Sequence, residues 1–295
     1  MLQKQSQVIG ILLACLTANE LFGEEIGPDT ATIGIFTESV DPNISISGVD
    51  KFKWPVEEGA VVKGVVPEGP AHKAGFRKFD VMIRLAGKEI KGQKDIDKVL
   101  STHNPKKRIN AVVFSPKYLD NDTRVKWKRK SYAIAPTTLE KLFAESLVVR
   151  EVDSSDSYFI EAKGTTSRVN DRSGLVARVY MYEGREPALT LTIKYVAKEW
   201  LFVESLMVKT SKGKVIIDGL DMERDFKSTI WEWCTINASG NADCMSAIGV
   251  LQSTSNAELI YQGSKYRKTI DLHNDDLVRL RLVVKYYDYL KRKKA

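Results

Sequence analysis

The residue types that could do chemistry are few and scattered. The three histidines, His72, His103 and His273, stand far apart in turn or helix-cap settings. No G-x-S-x-G nucleophile turn occurs, and no Ser–Lys or Ser–His spacing marks out an active pair. The carboxylate pairs Glu24-Glu25, Glu57-Glu58 and Asp275-Asp276 are sequence neighbours. Neighbours point to opposite faces of a strand and do not face each other on a helix, so these read as surface or helix-end charge. Glu232 is different, because it sits between Trp231 and Trp233. On a strand the two rings share one face and the acid takes the other. Aromatics with a carboxylate suit a carbohydrate site. The simpler reading puts the tryptophans in a sandwich core and leaves Glu232 exposed.

Cysteine use is equally sparing. Cys234 and Cys244 lie close together in "WCTINASGNADCM". They would close a short disulfide loop worth on the order of 3 kcal/mol, or stay as two unlinked core thiols. No second Cys/His pair has zinc spacing, so no metal is expected, and no cofactor motif occurs. The third, Cys15, ends "LLAC" in the first segment. Lys4, the apolar run Val8 to Cys15 and the small residues after it read as a signal peptide over residues 1–18. Cleavage near Ala18 is one outcome. The other is a lipobox, with Cys15 lipidated as the new N-terminus.

Composition constrains the partner. The chain has 295 residues, 43% hydrophobic and 28% charged, with net charge +7 and a pI near 9.1. These are ordinary globular proportions and allow more than one core. The excess charge suits an anionic partner or a solvated basic face. An exported chain meets envelope or anionic membrane surfaces, and no nucleic acid is expected. "RVKWKRKSYAI" alternates Arg124, Lys126, Lys128 and Lys130 with Val125, Trp127 and Arg129. That is a half-exposed strand whose lysines guard a sheet edge or meet anionic head groups.

The elements that position these residues fall into two domains. Strands are expected in "TATIGIFTESV", "GAVVKGVV", "DVMIRLAGKEI", "RINAVVFSP" and "VKWKRKSYAIA". "QKDIDKVLSTH" carries Ile96, Val99 and Leu100 at amphipathic helical spacing. "PEGPAHKAGF" reads as a one-turn helix between strands. Pro70 stands at its first position, Gly75 takes the left-handed conformation at its end, and Phe76 turns into the core.

"VVPEGPAHKAGFRKFDVMIRLAGKEI" resembles the signature of a PDZ domain of the kind carried by bacterial exported proteases. The one departure is Phe79, which stands where that family has glycine before the aspartate. The resemblance implies a peptide added as a strand beside a sheet edge, held by its C-terminal carboxylate in an apolar-Gly-apolar loop. Ile33, Gly34, Ile35 and Phe36 match that loop, with Thr37 continuing the pairing strand. Ile96 and Leu100 would face the ligand's last side chain, or else simply pack the core. The protease domain that precedes the PDZ domain in those enzymes is not expected here, since only the signal segment stands before this region.

The expected fold is therefore mixed α+β in two domains. A PDZ-like barrel or sandwich with two helices spans residues 28–135, and a connector helix spans 136–147. A β-rich, sandwich-like domain with C-terminal helices spans 148–295 and resembles no family. Asn274 is expected to cap the last helix, with Leu277, Leu280, Val284 and Tyr287 as its apolar stripe. The functional expectation is an exported binding protein, periplasmic, secreted or lipid-anchored, that captures a protein C-terminus or extended peptide as a non-catalytic adaptor. The alternatives are an enzyme or protease accessory whose second domain processes what the first presents, and a structural envelope protein.

Overall fold

A computed structural model describes residues 29–41, 53–118, 125–152, 157–165, 172–182, 184–226, 228–254 and 256–294. The signal segment with Cys15 lies outside these residues. No described helix is long and apolar enough to cross a membrane. The chain divides into two compact units. The first takes the described residues up to Val62 and Pro70–Glu140; the second takes Lys63–Gly69 and the described residues from Lys141 onward.

In the first unit, β1 (Ala31–Thr32) pairs with β8 (Thr137–Thr138), with Ala31 opposite Thr138. A six-stranded sheet is ordered β2 (Ile35–Ser39), β3 (Ala60–Val65), β4 (Val81–Leu85), β6 (Ile109–Tyr118) and β7 (Val125–Ile134), with β5 (Lys88–Glu89) on β4. The β4–β5 turn places Ala86 and Gly87 at φ 52° and 77°, the geometry of a tight two-residue hairpin. Helix α1 (Pro70–Ala74) is the turn read from "PEGPAHKAGF". Gly75 ends it at φ 94°, and Phe76 is buried against Tyr132 with ring centroids 4.7 Å apart. Phe79 adopts φ 72°, so a bulky residue holds the left-handed turn that the resemblance assigns to glycine. Its amide donates to the Val62 carbonyl at 2.8 Å, which keeps the turn in register with β3. Asp80, almost fully buried, accepts the Arg77 amide at 3.0 Å, and burial pushes its carboxyl above the ordinary aspartate range.

The second unit holds two antiparallel sheets. The larger is ordered β15 (Glu223–Phe226), β16 (Ile230–Asn237), β12 (Ala188–Ala197), β11 (Gly174–Tyr182), β10 (Ser157–Ala162) and β9 (Leu147–Glu151). The smaller is ordered β14 (Gly213–Ile217), β13 (Val203–Thr210), β17 (Ala257–Gly263) and β18 (Arg267–Asp271). Register explains the core. Leu175 faces Ile193, Ala177 faces Leu191 and Val179 faces Leu189, and all six are buried on one side of the larger sheet. Tyr261 joins the sheets, its hydroxyl donating to the Lys194 carbonyl at 2.9 Å. Burial drives that phenol far above its usual range.

Helix α3 (Leu139–Ser146) precedes β9; α4 (Ala242–Gln252) packs on β14, and α5 (Asn274–Lys294) on β10 and β11. Leu277, Leu280, Val284 and Tyr287 all lie on the buried stripe of α5. The expected cap is corrected. Asn274 is itself helical, and its side-chain oxygen is buried without a hydrogen bond. His273 does the capping instead: its Nδ1 accepts the Asp275 amide at 3.3 Å, and its carbonyl accepts the Asp276 amide at 2.9 Å.

Cys234 on β16 and Cys244 on α4 are free thiols, which corrects the disulfide alternative. Cys234 faces the core from the strand and Cys244 from the helix, and burial pushes each thiol up to about 11. Two outcomes follow. Peptide mapping after iodoacetamide treatment at pH 8 should find both sites unmodified in the native protein and alkylated in urea. Because the folded-state values exceed that of an unfolded thiol, their contribution to stability holds below about pH 9 and is lost as pH rises toward 11. A urea titration across that range should show the midpoint falling.

Candidate functional site

The site begins with a helix end. Pro70 opens α1 without an N–H, so the first donor the helix offers is the amide of fully buried Ala71. It donates to the Ile33 carbonyl at 2.9 Å. Ile33 is 1% exposed, so side chain and carbonyl are both anchored. The next residue, Gly34, takes φ 71°, a conformation that side-chain-bearing residues rarely adopt, and its amide donates to Thr32 Oγ1 at 3.3 Å. The backbone then enters β2, the outer strand of its sheet, where Ile35, Phe36 and Thr37 are half-buried. The sequence expectation of one strand entered through Gly34 becomes two short strands flanking a glycine turn.

Helix α2 (Gln93–Ser101) contacts both β1 and β2. Its first turn is held by Asp95, whose Oδ2 accepts the Lys91 and Gly92 amides at 2.8 and 3.2 Å. Gly92 abuts the far end of β2 so closely that a Cβ there would lie 2.4 Å from Ser39 Oγ. Ile96 is 3% and Leu100 8% exposed, so both side chains lie on the buried face of this helix. The long segment before β3 ends on an aromatic pair. Trp54 donates its indole N–H to the Asp41 carbonyl, Trp127 donates to the Lys53 carbonyl, and the rings lie 6.0 Å apart.

Against the protein families, residues 31–114 match the model of the PDZ domain. These residues are a PDZ domain. The match ends at Phe114, before β7. No curated protein matches the chain. Solved structures are similar to it, two of them as follows. One is the HtrA3 PDZ domain bound to a phage-derived ligand, FGRWV, at 22% identity over 36% of this chain and 84% of that one, with a TM-score of 0.25. The other is the photosystem II D1 C-terminal processing protease, at 16% identity over 48% of this chain, with a TM-score of 0.27. This chain covers 29% of that protease.

Outside the PDZ domain, Glu232 reverses the sequence expectation. It is the acid, at 0% exposed, that faces the core, and Trp231 and Trp233 are half-exposed on the opposite face. Glu232 pairs across β12 with Tyr195, on the same side as Ile193 and Cys234. Its Oε1 accepts the Leu201 and Phe202 amides at 2.8 and 2.9 Å, and its Oε2 accepts the Val203 amide at 2.8 Å. Arg224 completes the set at 3.4 Å. Three successive amides closing on one carboxylate form an anion nest occupied by the protein's own side chain. With both oxygens committed, Glu232 has no role left in a carbohydrate site. Sequence reasoning missed this loop because the three donors are backbone groups about thirty residues away and carry no residue signature.

Among the described residues no cluster of His, Cys, Asp or Glu could hold a metal. The histidines stay separate: His72 is exposed on α1, His103 Nε2 bonds the Lys107 carbonyl, and His273 caps α5.

Replacing Glu232 by Gln keeps the shape but puts a donor where an acceptor is required. One buried amide then loses its partner, at a cost of about 2 kcal/mol. Urea unfolding of Glu232→Gln should show that loss, with a larger one for Glu232→Ala.

Proposed function

We propose that this chain is a non-catalytic binding protein whose PDZ domain captures the C-terminus of another protein, adding it as a strand along β2. The glycine turn between buried Ile33 and the outer strand β2 carries this reading. Such a turn lets consecutive backbone amides converge on one carboxylate, and an outer strand offers the ladder that a peptide extends. Ile33, Gly34, Ile35, Phe36 and Thr37 would supply backbone contacts. Leu100, the less buried of the two helix residues, would meet an apolar last side chain, with Ile96 supporting it from beneath. The match of residues 31–114 to the PDZ-domain model supports the same class of ligand.

Fluorescence polarisation of the full chain with a library of C-terminal peptides tests this. Peptides ending in an apolar residue should bind, and amidating the terminal carboxylate should weaken them at least tenfold. Gly34→Val should abolish binding at a stability cost of about 2 kcal/mol, because a β-branched residue is strained at this φ. Equal binding of free-acid and amidated peptides would overturn the carboxylate reading.

We further propose that the protein is exported by its first segment and works at an anionic envelope surface. Lys117 and Lys126 are direct cross-strand partners on β6 and β7, an arrangement that costs stability when like charges are left facing. Among the described residues, Lys117, Lys126, Lys128 and Arg129 form no ion pair. Co-sedimentation with phosphatidylglycerol vesicles should detect the full chain, and the Lys126→Glu/Lys128→Glu variant should remain in solution. Equal sedimentation of both would refute the role of β7.

A further inference from the structure

Burying a carboxylate and holding a phenylalanine at positive φ both cost stability. The loop Trp200–Val203 does both: Glu232 is fully buried beneath it, and Phe202 stands at φ 54°. Gly263 is part of the same arrangement, since a Cβ there would lie 1.9 Å from the Leu201 carbonyl oxygen. Two rings are carried to the surface as a result. Trp200 is 37% and Phe202 51% exposed, with centroids 5.9 Å apart and planes 24° from parallel. The Arg224 guanidinium lies 5.4 Å from the Phe202 ring centroid while also pairing with Glu232. Neither ring adds to the core. The loop is a rigid display of two aromatic side chains, the kind of anchor that dominates protein interfaces.

Beside this display runs β15, the outer strand of the larger sheet, with all four residues exposed and Phe226 at 64%. Its register sorts them by face. Arg224 is opposite Glu232 and Phe226 opposite Ile230, which places both on the side of the aromatic loop. Glu223 is opposite Trp233 and Asp225 opposite Trp231, on the other side. Short, charged outer strands guard sheets against self-pairing, but that does not account for three exposed aromatic rings along one margin.

We propose that β15 and the Trp200–Phe202 loop form a second docking edge, taking an extended protein segment in which apolar and basic residues alternate. A strand added along β15 continues its face assignment. Every second side chain then lies beside Phe226, Phe202 and Trp200, and the intervening ones lie beside Glu223 and Asp225. Charge selects the cation. Residues 218–226 contain Asp218, Asp221, Glu223 and Asp225 against the single base Arg224, which Glu232 already engages. In a chain of net charge +7 this margin is locally acidic, so it repels anionic surfaces and attracts a basic segment. Asp225 is exposed, and its Oδ1 accepts the Phe226 amide at 2.7 Å.

The probe is an acetylated, amidated octapeptide of alternating lysine and valine, with a glutamate–valine peptide as its counterpart. Neither has a free carboxy terminus, so the result is independent of ligand capture at Gly34. Polarisation with the full chain should show saturable binding of the lysine peptide that weakens with added salt, and none of the glutamate peptide. Trp200→Ala and Phe202→Gly should each weaken binding at least tenfold, and glycine suits the left-handed conformation at 202. Glu223→Lys/Asp225→Lys should do the same, whereas Gly34→Val should leave the affinity unchanged. Thermal melts matching the parent chain confirm that these variants fold. No saturable binding, equal binding of both peptides, indifference to Trp200→Ala and Phe202→Gly, or dependence on Gly34 would each overturn the proposal.

Discussion

The hydrogen bond from the Ala71 amide to the Ile33 carbonyl is the constraint on which the PDZ site depends. A helix as short as α1 must find acceptors for its first amides outside itself, and Ala71 is too buried to use water. Meeting that need with Ile33 fixes the residue immediately before the glycine turn. Gly34 can then reverse the chain into β2 with the turn anchored on its upstream side. The proline- and glycine-rich helix thus works as a support.

The second unit meets the same demand in the opposite way. There the amides of Leu201, Phe202 and Val203 are the groups in need, and a side chain, Glu232, projects from the core face of the sheet to satisfy them. A carboxylate with four protein donors tolerates burial that would otherwise be expensive. Its two oxygens give three successive loop amides a buried acceptor. Both units therefore place an ordered turn beside the outer strand of a sheet, one around Gly34 at β2 and one around Phe202 at β15. Outer strands with structured neighbours are the places where an antiparallel protein can accept another chain without rearranging its core.

The remaining charges follow from what each face has to do. On the side of the larger sheet away from its apolar face, Arg178 bonds Glu161 at 2.9 Å and Thr192 Oγ1 at 3.2 Å, and Thr192 reaches Thr235. This polar row lets the sheet carry a nearly fully buried acid, Glu161, without an unpaired charge.

Local chemistry in the sequence determined a good deal. Proline at a first helical position and glycine just past the last one located α1 and Gly75; the spacing of Ile96, Val99 and Leu100 located α2; period-two patterning located most strands. These features depend on sterics and burial within a few residues. Alternation also showed that Glu232 and its flanking tryptophans take opposite faces, but not which face is the core. Hydrophobicity favoured the tryptophans, and the amides of a distant loop decided for the acid. Cys234 and Cys244 were close in sequence, yet their state rested on a strand and a helix each turning a thiol inward. Asn274 had the composition of a cap, and His273 had the position. In each case the deciding group was backbone, or lay far along the chain, so only the tertiary structure could bring it to the residue it controls.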